Sequence, residues 1–477
     1  MASPRLETRR TAEALARVDA IAPAGRVVRM VGGLVEASGL RCAVGELCAI
    51  ELLESARRDR AVNGAGGAAR IPAEVVGFRQ DVVLLMPLTD FAGVCPGDRV
   101  WGRHTPLTVP VGERLLGRVV SGLGEPLDEL GPLHGSRYRS LSASAPQPLA
   151  RRRIREPICT GIRAIDGLLT CGKGQRLGIF AGSGIGKSVL LGSIARHARA
   201  DVNVIALIGE RGREVREFLE RDLAGGLAKS FVVVATSDQP ALVRVKGAML
   251  ALTVAEYFRD QGRDVLFMMD SLSRVATAQR EIGLAAGEPP TTRGFPPSVF
   301  ALLPRLLERV SITAEGSITG LFAVLVDADD MNEPISDAAR SILDGHIALS
   351  RRLAHRNHYP AIDVLSSISR VMPEVTSREH REAADAIRRV LAVHAEAEDV
   401  INLGAYVAGS NPLVDEAIAR LPGIEEFLRQ RPENASSSEE TLAWLETLAH
   451  HEPSGSGAEA APSAAPGVPA EAAARAG

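Results

Sequence analysis

"RLGIFAGSGIGKSVLLGSI", residues 176–194, reads as a strand, a glycine-rich turn and a helix in direct succession. Within it, "AGSGIGKS" at 181–188 matches the phosphate-loop pattern G-x-x-x-x-G-K-[ST], with Ala181 in place of the first glycine. Gly182, Gly184 and Gly186 let the backbone curl so that its N–H groups point inward at phosphate oxygens. Lys187 adds a positive charge at the β- and γ-phosphates, and the Ser188 hydroxyl is a ligand for Mg²⁺. The helix that follows aims the positive end of its dipole at the same place. The nucleotide-binding stretch is thus Ala181, Gly182, Ser183, Gly184, Ile185, Gly186, Lys187, Ser188 and Val189, and the cofactors it implies are ATP and Mg²⁺.

The pattern around this loop extends the reading. Over 158–377, apolar runs such as "VNVIALIGE", "FVVVATS", "DVLFMMD" and "ITGLFAVLVD" alternate with helical stretches. Continuous apolar strands between helices predict a buried, mainly parallel sheet. Upstream, 24–103 carries short alternating runs punctuated by Gly and Pro, which predicts a small β-barrel. Residues 104–157 read as a turn-rich connector ending in "RRRIREP", and 378–450 read as helical throughout. Residues 1–23 include an amphipathic helix, which reads either as a solvated surface helix or as a docking helix for a partner or lipid, and 451–477 read as a low-complexity, disordered tail.

Composition narrows the class. The chain has 477 residues, a net charge of −3 and 4% aromatic residues. Nucleic-acid-binding domains carry a basic excess, and RNA-binding barrels carry stacking aromatics, so a nucleic-acid partner is disfavoured. The 5 cysteines, odd in number and without a C-x-x-C pair, indicate neither a disulfide framework nor a zinc site. That cysteine usage fits a reducing cytoplasm, and a charged N-terminus that does not read as a signal peptide, with no apolar run of membrane-spanning length, predicts a soluble protein. Lysines are scarce, and Lys187 is one of the few.

Further candidates lie outside the loop. Asp270 closes the apolar run "DVLFMMD", a position from which a carboxylate holds Mg²⁺ through water. Glu210 closes "VNVIALIGE"; it either polarises the attacking water or is an ordinary acid salt-bridged to Arg211 or Arg213. Tyr359 and Arg370 lie in "HYPAIDVLSSISRVMP", where an aromatic can stack on a base and an arginine can neutralise γ-phosphate charge, though spacing alone favours structural roles. The histidines show no metal-ligand spacing and are assigned to packing or the surface.

Long stretches then carry a family resemblance. They are "GRVVSGLGEPLDELGPL", "REPICTGIRAIDGLLTCGKGQRLGIFAGSGIGKSVLL", "IGERGREVREF", "DSLSRVATAQREIGLAAGEPPTTRGFPPSVFALLPRLLERV", "DDMNEPISDAARSILDGHI" and "HYPAIDVLSSISRVMP". From about 24 to 430 the chain resembles the flagellar type III protein export ATPases, sisters of the injectisome secretion ATPases and relatives of rotary ATP synthase catalytic subunits. The resemblance implies an N-terminal β-barrel, a RecA-like phosphate-loop core and a C-terminal helical domain. It implies a homo-hexamer with its sites at subunit boundaries. It also implies partners: a stator-like regulator at the N-terminus, a central stalk protein, export chaperones and substrates, and indirectly the membrane export gate. The location it implies is cytoplasmic, peripheral to the inner membrane.

By the same resemblance, Glu210 activates water and Lys187 and Ser188 bind phosphate and Mg²⁺. Asp270 supports the metal, Tyr359 lines the adenine pocket, and Arg370 is a finger reaching the neighbour's nucleotide. The catalytic set is Lys187, Glu210, Arg211 and Arg370. The segment "DVINLGAYVAGSNPLVDEAIARLPGIEEFL" favours the flagellar branch over the injectisome branch. A nucleotide-holding structural subunit and an RNA translocase are the readings from other classes. Glu210 and Arg370 count against the first, and the balanced charge of the barrel against the second.

Overall fold

The computed structural model describes residues 24–52, 70–135, 137–326 and 333–450. The expected N-terminal helix and the low-complexity tail lie outside the described residues.

Six antiparallel strands, Ala24–Val31, Leu34–Ser38, Glu46–Glu51, Arg70–Arg79, Val82–Pro87 and Arg99–Pro106, close into a barrel. Alternation along each strand sends Val27, Val35, Ile50, Val75, Leu85 and Val100 inward to a common core. The last strand pairs with the first, so the barrel has no free edge.

The central domain is an eight-stranded sheet. Its order is Ile362–Ser369, Gly345–Leu349, Arg176–Ala181, Ser317–Leu325, Asp264–Asp270, Val202–Ile208, Ser230–Ala235 and Val119–Ser121. Neighbours run parallel except for Ile362–Ser369, which is antiparallel to Gly345–Leu349. Every residue of Val202–Ile208 and Ser230–Ala235 is buried, as continuous apolar runs require when helices cover both sheet faces. Helices Ala241–Arg259, Leu272–Ala286 and Pro297–Leu307 pack with one core cluster, which also takes in Leu34, Leu84 and Met86 of the barrel. Helix Lys187–His197 packs with the other, together with residues of the C-terminal helices Arg378–Asn402, Pro412–Leu428 and Ser438–His450.

One strand of the sheet comes from the segment read as a connector. Val119–Ser121 pairs with Val232–Val234, and Arg118 holds the following turn through a bidentate pair with Asp128 at 2.7 and 2.9 Å. A strand this short has too few residues to show a period in sequence.

Candidate active site at the carboxyl edge of the sheet

The strands Arg176–Ala181, Val202–Ile208 and Asp264–Asp270 are parallel, so their carboxyl ends open on one edge, the side on which open α/β sheets bind ligands. The glycine-rich turn leaves the first of these and enters helix Lys187–His197. Gly184 and Gly186 have φ of 77° and 90°, values that a side chain resists. Ile185 between them is buried and pins the turn to the core beneath.

Three of the expected residues meet here. Lys187 Nζ hydrogen-bonds Asp270 Oδ1 and lies 3.8 Å from Glu210 Oε1. Glu210 has a second cation beside it, with Arg274 Nε 3.3 Å from Oε1. The Arg274 guanidinium also donates to the Gly209 carbonyl, which holds it against the end of the strand. Burial pushes the Glu210 carboxyl up to about 7, helped by a hydrogen bond with Glu214 and the charge of Asp270, and opposed by Lys187 and Arg274. Glu214, the partner in that hydrogen bond, is held below the usual range. Glu210 Oε1 is buried with no hydrogen-bond partner among the described residues, an acceptor suited to a water molecule.

Arg211 goes elsewhere. The chain turns after Glu210, so Arg211 heads the short helix Gly212–Glu217; its side chain is 79% exposed and pairs with Glu214 at 3.4 Å. Arg213 pairs with Glu217. Neither arginine bridges Glu210.

Tyr359 borders a mostly apolar cavity of about 380 Å³ beside the loop, with Gly184, Gly186, Val189, Gln430 and Pro432. Gln430 comes from the chain between the last two helices. Its main-chain N–H donates to the Tyr359 carbonyl at 2.9 Å. Its side chain donates to the Gly161 and Asn434 carbonyls and accepts from the Arg163 N–H. No local pattern marks Gln430, because its neighbours at the cavity are far away in sequence. Arg274 lies a few residues past Asp270 in "DSLSRVATAQ", though its spacing does not reveal Glu210 as its partner.

Arg370 is exposed and lies at the other end of the sheet. Ser369 pairs with Gly345, and Gly178 pairs with His346, so Arg370 lies beyond the amino end of the strand that carries the loop. The strand separates it from its own phosphate loop by about 17 Å at roughly 3.3 Å per residue. Its guanidinium rests on the Leu343 and Arg340 carbonyls at 3.3 and 3.5 Å.

Mg²⁺ fits the residues present. The Ser188 hydroxyl and the Asp270 carboxylate are hard oxygen donors, one at the loop and one at the carboxyl end of the next strand but one in the sheet, the chemistry that this ion takes. No helix among the described residues is long and apolar enough to cross a membrane. All five cysteines are free thiols.

A phosphate cradle opening on a parallel sheet, with a lysine and two carboxylates converging beside it, defines a phosphate-loop ATPase with a RecA-like core. The model of the ATP synthase alpha/beta family, nucleotide-binding domain, matches residues 161–369, and that of the T3SS EscN ATPase C-terminal domain matches 376–447. The flagellum-specific ATP synthase of Bacillus subtilis (strain 168) is 50% identical over 448 residues, covering 94% of this chain and 100% of that protein. The type 3 secretion system ATPase of Xanthomonas euvesicatoria is also 50% identical, covering 89% of this chain and 93% of its own. Among solved structures, the assembled ATPase EscN of the enteropathogenic E. coli type III secretion system matches with a TM-score of 0.82 and 44% identity. That match covers 89% of this chain and 100% of the chain in that structure. EscN in complex with its central stalk EscO matches at 0.80 and 43% identity, with the same coverage. The chain belongs to the family of flagellum-specific ATP synthases and type 3 secretion system ATPases.

Proposed function

We propose that this chain is the ATP-hydrolysing subunit of a ring motor that energises flagellar type III protein export, assisting release or unfolding of substrates and chaperones at the export gate. The observation that carries the mechanism is the separation of Arg370 from the loop of its own chain. An exposed arginine at the opposite sheet end serves a nucleotide only if that nucleotide belongs to a neighbour. The loop N–H groups and Lys187 hold the phosphates. Glu210 orients the attacking water and takes its proton, a task that suits a carboxyl poised near neutrality. Ser188 and Asp270 would hold Mg²⁺, which would neutralise charge on the phosphate oxygens. Tyr359 packs on the base. Arg370 of one subunit stabilises the charge that builds on the nucleotide of the next, a contribution of about 10³–10⁵ in rate.

The working form is a homo-hexamer. It engages a central stalk protein through its ring and a stator-like regulator through its N-terminus, in the cytoplasm against the inner membrane. No nucleic acid takes part. The secretion ATPase that matches at the same identity as the flagellar relative supports a second reading, the same motor in an injectisome. Neighbouring genes separate the two: rod, hook and filament genes for the first, needle and translocator genes for the second.

The mechanism is tested by ATP turnover against protein concentration. Specific activity climbs with concentration in the wild type and stays near zero for Arg370→Ala. A concentration-independent rate, with Arg370→Ala behaving as wild type, overturns it.

A further inference from the structure

We infer that Gln175 is a positioning residue for Arg370: its buried amide ties together the two backbone segments from which that arginine projects. The inference rests on Arg370 acting in trans.

Gln175 is fully buried, and all its amide groups are engaged. Its Oε1 accepts from the Gly172 N–H at 2.8 Å. Its Nε2 donates to the Asp344 carbonyl at 3.1 Å and to Ser369 Oγ at 3.0 Å. Those two acceptors flank Arg370. Ser369 precedes it in the chain, and the Asp344 carbonyl also accepts from the Arg370 N–H at 3.0 Å. The Ser369 hydroxyl in turn donates a hydrogen bond to the Thr170 carbonyl at 2.8 Å. The root of the arginine is thereby bonded from both sides through one side chain.

The neighbouring residue secures the other wall. Arg176 holds the Asp344 carboxylate through its main-chain N–H, Nε and Nη2, each at 3.0 Å. The two strands are also forced close together. A side chain at Gly345 would meet the Ile368 carbonyl oxygen at 2.4 Å. Arg370 is thus a flexible side chain on a backbone with little freedom. Preorganisation of this kind sets the rate: a displacement of about 1 Å at a catalytic group costs on the order of 10²-fold. Gln175 and Ser369 lie at the end of the sheet away from the phosphate loop, so their loss acts on the neighbour's nucleotide and leaves the chain's own binding surface alone.

The experiment uses the full chain. Gln175→Met keeps volume and loses the three hydrogen bonds. Ser369→Ala removes one acceptor at little risk to folding. Both are expected to lower kcat, Gln175→Met by about 10²-fold, with nucleotide affinity changed less than twofold. The decisive readout is complementation. Lys187→Ala has a defective loop and an intact Arg370, so mixed rings place a good loop from a Gln175→Met subunit against a good arginine from a Lys187→Ala subunit. Mixing Gln175→Met with Lys187→Ala raises turnover above that of either protein alone, as does the control mixture of Arg370→Ala with Lys187→Ala. A control that complements while Gln175→Met does not, or Gln175→Met and Ser369→Ala turning over like wild type, overturns the role of Gln175. A control that fails to complement overturns the action in trans instead.

Discussion

Lys246 and Glu74 form an ion pair at 2.6 Å with 9% and 7% of their side chains exposed, and it bridges the ATPase core helix Ala241–Arg259 and the barrel strand Arg70–Arg79. Burial pushes the Glu74 carboxyl up while Lys246 pulls it down. Lys246 is one of the few lysines in this arginine-rich chain, and its charge is spent on holding two domains together.

Removing one partner of such a pair leaves a buried charge uncompensated. Lys246→Met is therefore expected to destabilise the barrel–core junction by about 3–5 kcal/mol near neutral pH. The lone Glu74 then has a folded-state pKa above its unfolded value. The penalty is full above the folded pKa and shrinks as pH falls toward the unfolded one. Adding Glu74→Leu recovers most of the loss. Thermal unfolding of both variants at pH 5 and pH 8 checks the ordering, and a Lys246→Met Tm equal to wild type at pH 8 contradicts it.

As the proposed base, Glu210 is expected to govern a pH limb. A base with a carboxyl raised to about 7 works only when ionised, so kcat/KM of the wild type rises with pH through that value and levels above it. Glu210→Gln is expected to lower kcat by about 10²–10⁴-fold and to abolish the limb. Its stability moves the other way. The wild-type carboxylate costs stability above its folded pKa, so the neutral amide raises stability at pH 8 by on the order of 2 kcal/mol, and the gain fades toward pH 4. A pH–rate profile paired with unfolding scans reads both. A Glu210→Gln enzyme that keeps the wild-type acid limb assigns the limb to another group.

Tyr359 supplies one wall of the apolar cavity beside the loop. Tyr359→Ala is expected to raise KM for ATP about tenfold, the value of one aromatic stacking contact, with kcat within about twofold. Steady-state kinetics against ATP make the split. A fall in kcat at unchanged KM means that the ring does not hold the base.

Asp270 accepts from Lys187 at the strand end. Asp270→Asn removes its charge while keeping its shape, and is expected to raise the Mg²⁺ concentration for half-maximal turnover by about tenfold or more. A Mg²⁺ titration at saturating ATP measures this. An unchanged midpoint argues that the metal is held without Asp270.

Residues 176–194 made the phosphate loop legible without any structure. Its determinants are local: a strand, glycines that take φ of 77° and 90°, a lysine and a helix start, all within residues 176–188. The alternating barrel runs, the buried parallel strands and the C-terminal helices were legible for the same reason, since periodicity is a short-range signal. Tertiary structure alone decided the pairings between distant segments. It brought Glu210 to Lys187 and Arg274 while Arg211 turned to solvent, and it set Gln430 against Tyr359 across the helical domain. It also put the Gln175 amide under the root of Arg370. Such contacts follow from how whole elements pack, and burial, which raises the Glu210 carboxyl, belongs to the packed molecule and to no stretch of its sequence.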